Sequence, residues 1–165
     1  MNTDSLLSHL LNLKTWKRCE ETAPHKPLML LFALSRVARN APQMMPFSEV
    51  EEPMKKLLKK FGAERKSIHP EYPFWRLQTS GIWKLENIDK VCPRKSNTDQ
   101  PKSELLQHNV KAGFIDSVQV LLLQNHGLAL DLMPPLAKIW FGSCWESAVG
   151  AAIEASSLLS TAVEN

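Results

Sequence analysis

Three cysteines, one tyrosine and six glycines among 165 residues deprive several protein classes of their raw material. Cys19, Cys92 and Cys144 are odd in number, widely spaced and free of any CxxC pair. No disulfide framework is expected, and a reduced, cytoplasmic setting is. The longest apolar run, Leu28 to Leu34, has the length of a core helix and is too short to cross a bilayer. The start, Met1-Asn2-Thr3-Asp4, lacks the basic segment and cleavage site of a signal peptide. No P-loop, GxGxxG, HExxH or GxSxG occurs, and no His/Cys set has zinc-ligand spacing. His108-Asn109 has no second half of a His-Asn-His metal constellation and reads as structural. Cys92, beside Pro93-Arg94-Lys95, has no visible His partner and reads as a bystander. The carboxylates are scattered rather than paired. The expectation is a binding module, not an enzyme, with no cofactor, metal, membrane or small-molecule substrate.

The length suits one domain, residues 1–165, with one core, and a 44% hydrophobic share is that of an ordinary folded chain. The net charge of +3 is unevenly spread. Residues 1–102 carry 18 Lys/Arg against 11 Asp/Glu, and residues 103–165 carry 2 against 6. A basic first part with an acidic end fits a polyanion bound on one face. The plain alternative for Lys55-Lys56, Lys59-Lys60 and Arg65-Lys66 is a solvated helix face.

Leucines at 6, 7, 10, 11 and 13 form a helical stripe, with Asp4 as a candidate N-cap. A basic segment, Lys14 to Arg18 around Trp16, follows. Residues 24–40 read as the central helix, because apolar residues run unbroken from Leu28 to Leu34 and Pro24 and Pro27 are tolerated only in or before a first turn. His25 and Lys26 then sit at a helix N-terminus, where free N–H groups favour an anion. The alternative makes His25 an exposed capping residue. Met45-Pro46-Phe47 suggests a short strand. Ser48 to Glu51 has the pattern of a capping box, opening a helix that Gly62 stops. Helices are also expected at 102–109, 116–126 and 143–160, the last behind a second capping box, Ser143 to Glu146. Pro134-Pro135 is expected to start or kink a short helix ending near Trp140-Phe141.

The stretch His69 to Glu86 holds the only tyrosine, Tyr72, and two tryptophans, Trp75 and Trp83. Alternation from Phe74 to Gln78, a Thr79-Ser80-Gly81 turn and a return through Ile82 to Leu85 predict a β-hairpin. Tyr72-Pro73 forms an apolar wall ahead of it, expected to be exposed, while Trp75 and Trp83 are expected in the core. The loop Cys92 to Pro101 is rich in donors suited to phosphates and base edges. The expected fold is mostly α (α+β): a helical domain around a buried central helix, with a small β-hairpin or short sheet.

Ala23-Pro24-His25-Lys26-Pro27-Leu28-Met29-Leu30-Leu31, followed by Tyr72-Pro73-Phe74-Trp75-Arg76-Leu77 and Gly81-Ile82-Trp83, resembles the DNA sulfur-binding domain of McrA-like, phosphorothioation-dependent type IV restriction endonucleases. The resemblance extends over residues 1–150. It implies binding of double-stranded DNA in which sulfur replaces one non-bridging phosphate oxygen, as the targeting module of a bacterial defence system. Cutting in that family belongs to a separate HNH domain, so the resemblance implies a nuclease partner or a fused HNH domain. It further implies that Tyr72 and Pro73 receive the sulfur, with His25 and Lys26 beside them. Arg18, with Lys17 next to it, matches a basic backbone contact. Arg94, Lys95, Ser96, Asn97 and Thr98 match, by position, a loop that reads bases. Arg76 stands where some members carry a small pocket residue, so either its stem lines the wall or the pocket is tighter. Ala112-Gly113-Phe114 resembles a Gly-Gly-Phe turn with one glycine lost.

The chemistry of such a site is simple. Sulfur is larger, more polarizable and less strongly hydrated than oxygen, so seating it against Tyr and Pro rings gains dispersion at little desolvation cost. An oxygen there would lose hydrogen bonds to water, at about 1–3 kcal/mol, or roughly 10- to 100-fold in affinity. Two other readings remain open. One is a general DNA-binding module without sulfur selectivity; the other is a helical protein–protein adaptor in which Trp16, Trp75 and Trp83 are core.

Overall fold

The computed structural model describes residues 2–12, 17–18, 21–22, 25–62, 68–91 and 101–163. Helix α1, Thr3–Leu11, is capped by Asn2, whose side chain accepts from the Ser5 amide at 2.8 Å; Asp4, the expected cap, lies inside the first turn. Strands β1, Lys17–Arg18, and β2, Glu21–Thr22, form a two-residue antiparallel ribbon. Helix α2, His25–Ala38, is the centre of the fold, and every residue from Pro27 to Val37 is buried. Pro27 falls in its first turn, where the missing N–H has no helical partner to lose.

Strand β3, Met45–Pro46, leads directly into α3, Phe47–Phe61. The expected capping box at Ser48–Glu51 is not formed, because the helix begins two residues earlier, with Pro46 at the N-cap position. The Phe47 amide is satisfied from outside the helix, donating to the Val110 carbonyl at 3.0 Å. Helix α4, Glu71–Arg76, continues into a 3₁₀ turn, Leu77–Ser80, and Gly81 turns the chain at φ 83° into β4, Trp83–Glu86. Helix α5, Lys102–Gln107, precedes β5, Lys111–Phe114, and α6, Asp116–Gln124. Helices α7, Leu128–Phe141, and α8, Trp145–Val163, complete the order.

The fold is mostly α with a small sheet, as expected, but the hairpin is not there. Residues 71–80 are helical, and β4 pairs with β5 from later in the chain, in the order β3-β5-β4, all antiparallel. Alternation over so short a window also satisfies helical spacing: Pro73, Phe74 and Leu77 turn one face inward and are buried. Proline is at home in a first helical turn and would remove a ladder hydrogen bond from a strand. The Trp83 indole N–H then ties β4 to α4, donating to the Phe74 carbonyl at 3.0 Å.

Gly113 is not in a turn either. It lies in β5, opposite Lys84, and a Cβ there would overlap the Gln43 carbonyl oxygen. The glycine answers to close backbone approach. Pro134 and Pro135 sit inside α7 rather than at its start. Leu132, Met133, Leu136 and Ala137 are buried on either side of them, and α7 packs on α2 and α8, so tertiary burial overrides the local penalty. Ser143 lies in a 3₁₀ turn, Gly142–Cys144, before α8, so the second box is displaced as well.

Helices α2, α7 and α8 pack on one another, α3 lies on α8, and α4 rests on α2 and α3. A polar cluster joins the end of α2 to α8. Ser156 Oγ donates to the Ile153 carbonyl at 2.9 Å and accepts from Ser35 Oγ at 2.6 Å and Arg39 Nε at 3.0 Å. Arg36, in the last turn of α2, is 6% exposed; burial lowers its pKa and the charge of Glu49 opposes the shift. No helix among the described residues is long and apolar enough to cross a membrane.

Candidate nucleic-acid interface

Helix α4 presents the aromatic part of the site. Phe74 is fully buried and meets Phe47 edge-on at 5.0 Å between centroids, which fixes the helix against α3. With that face inward, Tyr72 and Trp75 are half-buried and Arg76 is exposed. The Arg76 guanidinium carbon lies 4.7 Å from the Tyr72 ring centroid, in cation–π contact. Pro73 is buried, against the expectation that it faces a ligand beside Tyr72. Trp83 is core as expected, and half-buried Trp75 packs against the core.

Helix α2 supplies the cationic part. His25 and Lys26 occupy its first turn, and α2 packs against α4. Lys26 is pushed below the usual lysine pKa, first by burial and second by the positive charge of Arg76. The second cause places the Arg76 charge within electrostatic reach of Lys26. Tyr72 and Arg76 thus stand on a helix that packs against α2, which carries His25 and Lys26 in its first turn, and Pro73 is buried.

The other expected contacts are placed less fully. Lys17 and Arg18 form β1, with Arg18 opposite Glu21 and Lys17 opposite Thr22. Arg94, Lys95, Ser96, Asn97 and Thr98 lie outside the described residues, as do Trp16 and Cys92. Two neighbours of Tyr72 escaped the sequence reading. His69 stacks on its ring, with centroids 4.4 Å apart and planes 9° apart, and His69 Nδ1 lies 3.3 Å from Glu71 Oε2. The signal was present in His69-Pro70-Glu71-Tyr72, a turn with proline at its second position, closed by the Tyr72 amide donating to the His69 carbonyl at 3.2 Å.

Residues 3–149 match the family model of the ScoMcrA-like DNA sulfur-binding domain. The chain belongs to this family. DNA sulfur-binding domains are binding modules rather than catalysts, as the lack of a paired-carboxylate or metal motif in the sequence led us to expect. Solved structures share the fold. The sulfur-binding domain of ScoMcrA complexed with phosphorothioated DNA matches with a TM-score of 0.74 and 20% identity, over 89% of this chain and 97% of that one. The sulfur-binding domain of SprMcrA complexed with phosphorothioated DNA matches with a TM-score of 0.72 and 19% identity, over 94% and 97%. A ScoMcrA chain holding the sulfur-binding and SRA domains, also with phosphorothioated DNA, matches with a TM-score of 0.76 and 20% identity. This chain spans 50% of that one, and 32% of the type IV restriction endonuclease ScoMcrA, which it matches with a TM-score of 0.74. No curated protein sequence matches.

Proposed function

We propose that this sulfur-binding domain binds double-stranded DNA carrying a phosphorothioate and receives the non-bridging sulfur against Tyr72, as the targeting module of a modification-dependent restriction system. The observation that carries the reading is Arg76 over the half-buried Tyr72 ring, on a helix that packs against α2, whose first turn holds His25 and Lys26: an aromatic surface for a soft atom, with cations on the two packed helices. Solved members of the same fold hold phosphorothioated DNA.

The division of labour follows from chemistry. Sulfur against an aromatic ring gains dispersion, whereas a phosphate oxygen there is stripped of water. Lys26 and Arg76 answer the anionic charge, and His25 completes the first turn of α2. Arg76 lines the pocket with its stem and holds its charge over the Tyr72 ring, while Pro73 is buried. Lys17 and Arg18 contact the DNA backbone; Arg94 to Thr98 contact backbone and bases, which sets sequence preference. Cleavage belongs to a nuclease partner or fused HNH domain.

A gel shift with matched duplexes, one bearing a single Rp phosphorothioate, at two salt concentrations tests this directly. Tighter binding of the sulfurated duplex is expected at both. Equal, salt-sensitive binding of the two duplexes means a general DNA-binding module in which Arg76 covers the ring without selecting sulfur. Binding of neither favours the adaptor.

A further inference from the structure

Resting on that reading, we propose that His69 is a positioning residue for sulfur recognition, holding the Tyr72 ring through a stack that buried Glu71 anchors. The imidazole lies flat on the ring, with a 4.4 Å centroid separation and a 9° angle between planes. Its Nδ1 meets Glu71 Oε2 at 3.3 Å, and since a carboxylate oxygen accepts, Nδ1 carries the hydrogen. Glu71 is 6% exposed, so the anchor is part of the protein interior. Its other oxygen, Oε1, is buried without a hydrogen-bond partner among the described residues, which leaves the His69 bond as the polar contact seen for this carboxylate. Together with the turn from the His69 carbonyl to the Tyr72 amide, residues 69–72 form one braced unit.

Bracing matters because of what the ring has to do. Dispersion falls steeply with distance, and a gap of about 0.5–1 Å forfeits a quarter to a half of the contact. A half-buried tyrosine free to change rotamer would hold sulfur at no fixed distance, and selectivity for one atom would fade. Arg76, exposed, meets the same ring through its guanidinium, 4.7 Å from the centroid, and His69 stacks flat on it.

Tyr72 is the only tyrosine of the chain, so tyrosine-labelled protein gives a single set of ring NMR signals. The full chain is compared with His69→Ala, His69→Phe and Glu71→Gln, each titrated with the matched sulfurated and plain duplexes. In His69→Ala the ring signals lose their stacking shift, the affinity ratio of sulfurated to plain duplex falls about 3- to 10-fold, and plain-duplex affinity stays within about twofold. His69→Phe restores the stack without its anchor to Glu71 and gives intermediate values of both shift and ratio, and Glu71→Gln, which keeps an oxygen that accepts from Nδ1–H, stays close to wild type. If His69→Ala moves the ring signals yet keeps the ratio, or weakens both duplexes alike with no rescue by phenylalanine, the inference is overturned while the sulfur reading stands. A wild-type ratio of one overturns the sulfur reading, and this inference with it.

Discussion

Arg76 lies over Tyr72, its guanidinium carbon 4.7 Å from the ring centroid, and its charge adds to the burial that lowers the pKa of Lys26 on the neighbouring helix. One side chain therefore reaches both halves of the site.

Tyr72→Ala removes the apolar surface and leaves the cations. Affinity for the sulfurated duplex is expected to fall about 10-fold or more, and affinity for plain DNA about twofold or less. Fluorescence anisotropy with the two matched duplexes measures both. Equal losses would place Tyr72 outside the sulfur contact.

Lys26→Ala removes a charge that does not distinguish sulfur from oxygen. Both duplexes are expected to bind more weakly by a similar factor, with the slope of log K against log salt reduced by about one. An effect confined to sulfurated DNA contradicts a pure phosphate role.

Arg76→Ala raises the Lys26 pKa part of the way to its usual value, since burial, the larger cause of the depression, remains. The sign on stability follows from proton counts. Between the folded pKa and the ordinary 10.5, the unfolded chain holds more protons than the native one. Wild-type stability from Lys26 is therefore lowest below that window and rises as pH climbs through it. Arg76→Ala should narrow the window and shrink the rise. NMR titration of the Lys26 side chain and urea unfolding across alkaline pH check the two halves of this expectation.

Gly113→Ala should destabilise the fold by on the order of 3 kcal/mol, because the new methyl group meets backbone rather than a side chain that can move. Ser156→Ala should cost about 1–2 kcal/mol by leaving the buried Ser35 hydroxyl and Arg39 without their shared acceptor. Denaturant unfolding reads both, and a change under about 0.5 kcal/mol at either position contradicts the corresponding contact.

The central helix was legible because its signal is dense: an unbroken apolar run behind two prolines leaves no other way to bury seven successive side chains. The same reading placed His25 and Lys26 at that helix's N-terminus, and the family resemblance singled out Tyr72, Pro73 and Arg76. The hairpin failed where the signal was thin. Phe74 to Leu77 is compatible with two periods, and only contact with Phe47 and α2 selects the helix. Capping boxes at Ser48 and Ser143 failed because a cap is a local preference, and a strand entering α3 or a 3₁₀ turn entering α8 supplies the first turn by other means.

Charge asymmetry thus fitted a polyanion partner, and the resemblance carried by the two motifs pointed to the DNA sulfur-binding domain family, to which the chain belongs. Tertiary structure alone decided that residues 71–76 are helical, that Pro73 is buried, that Arg76 lies over Tyr72, and that His69 stacks on the same ring. Such facts depend on which faces of separate elements meet. That is set by burial summed over the whole core, and no local window of residues contains it.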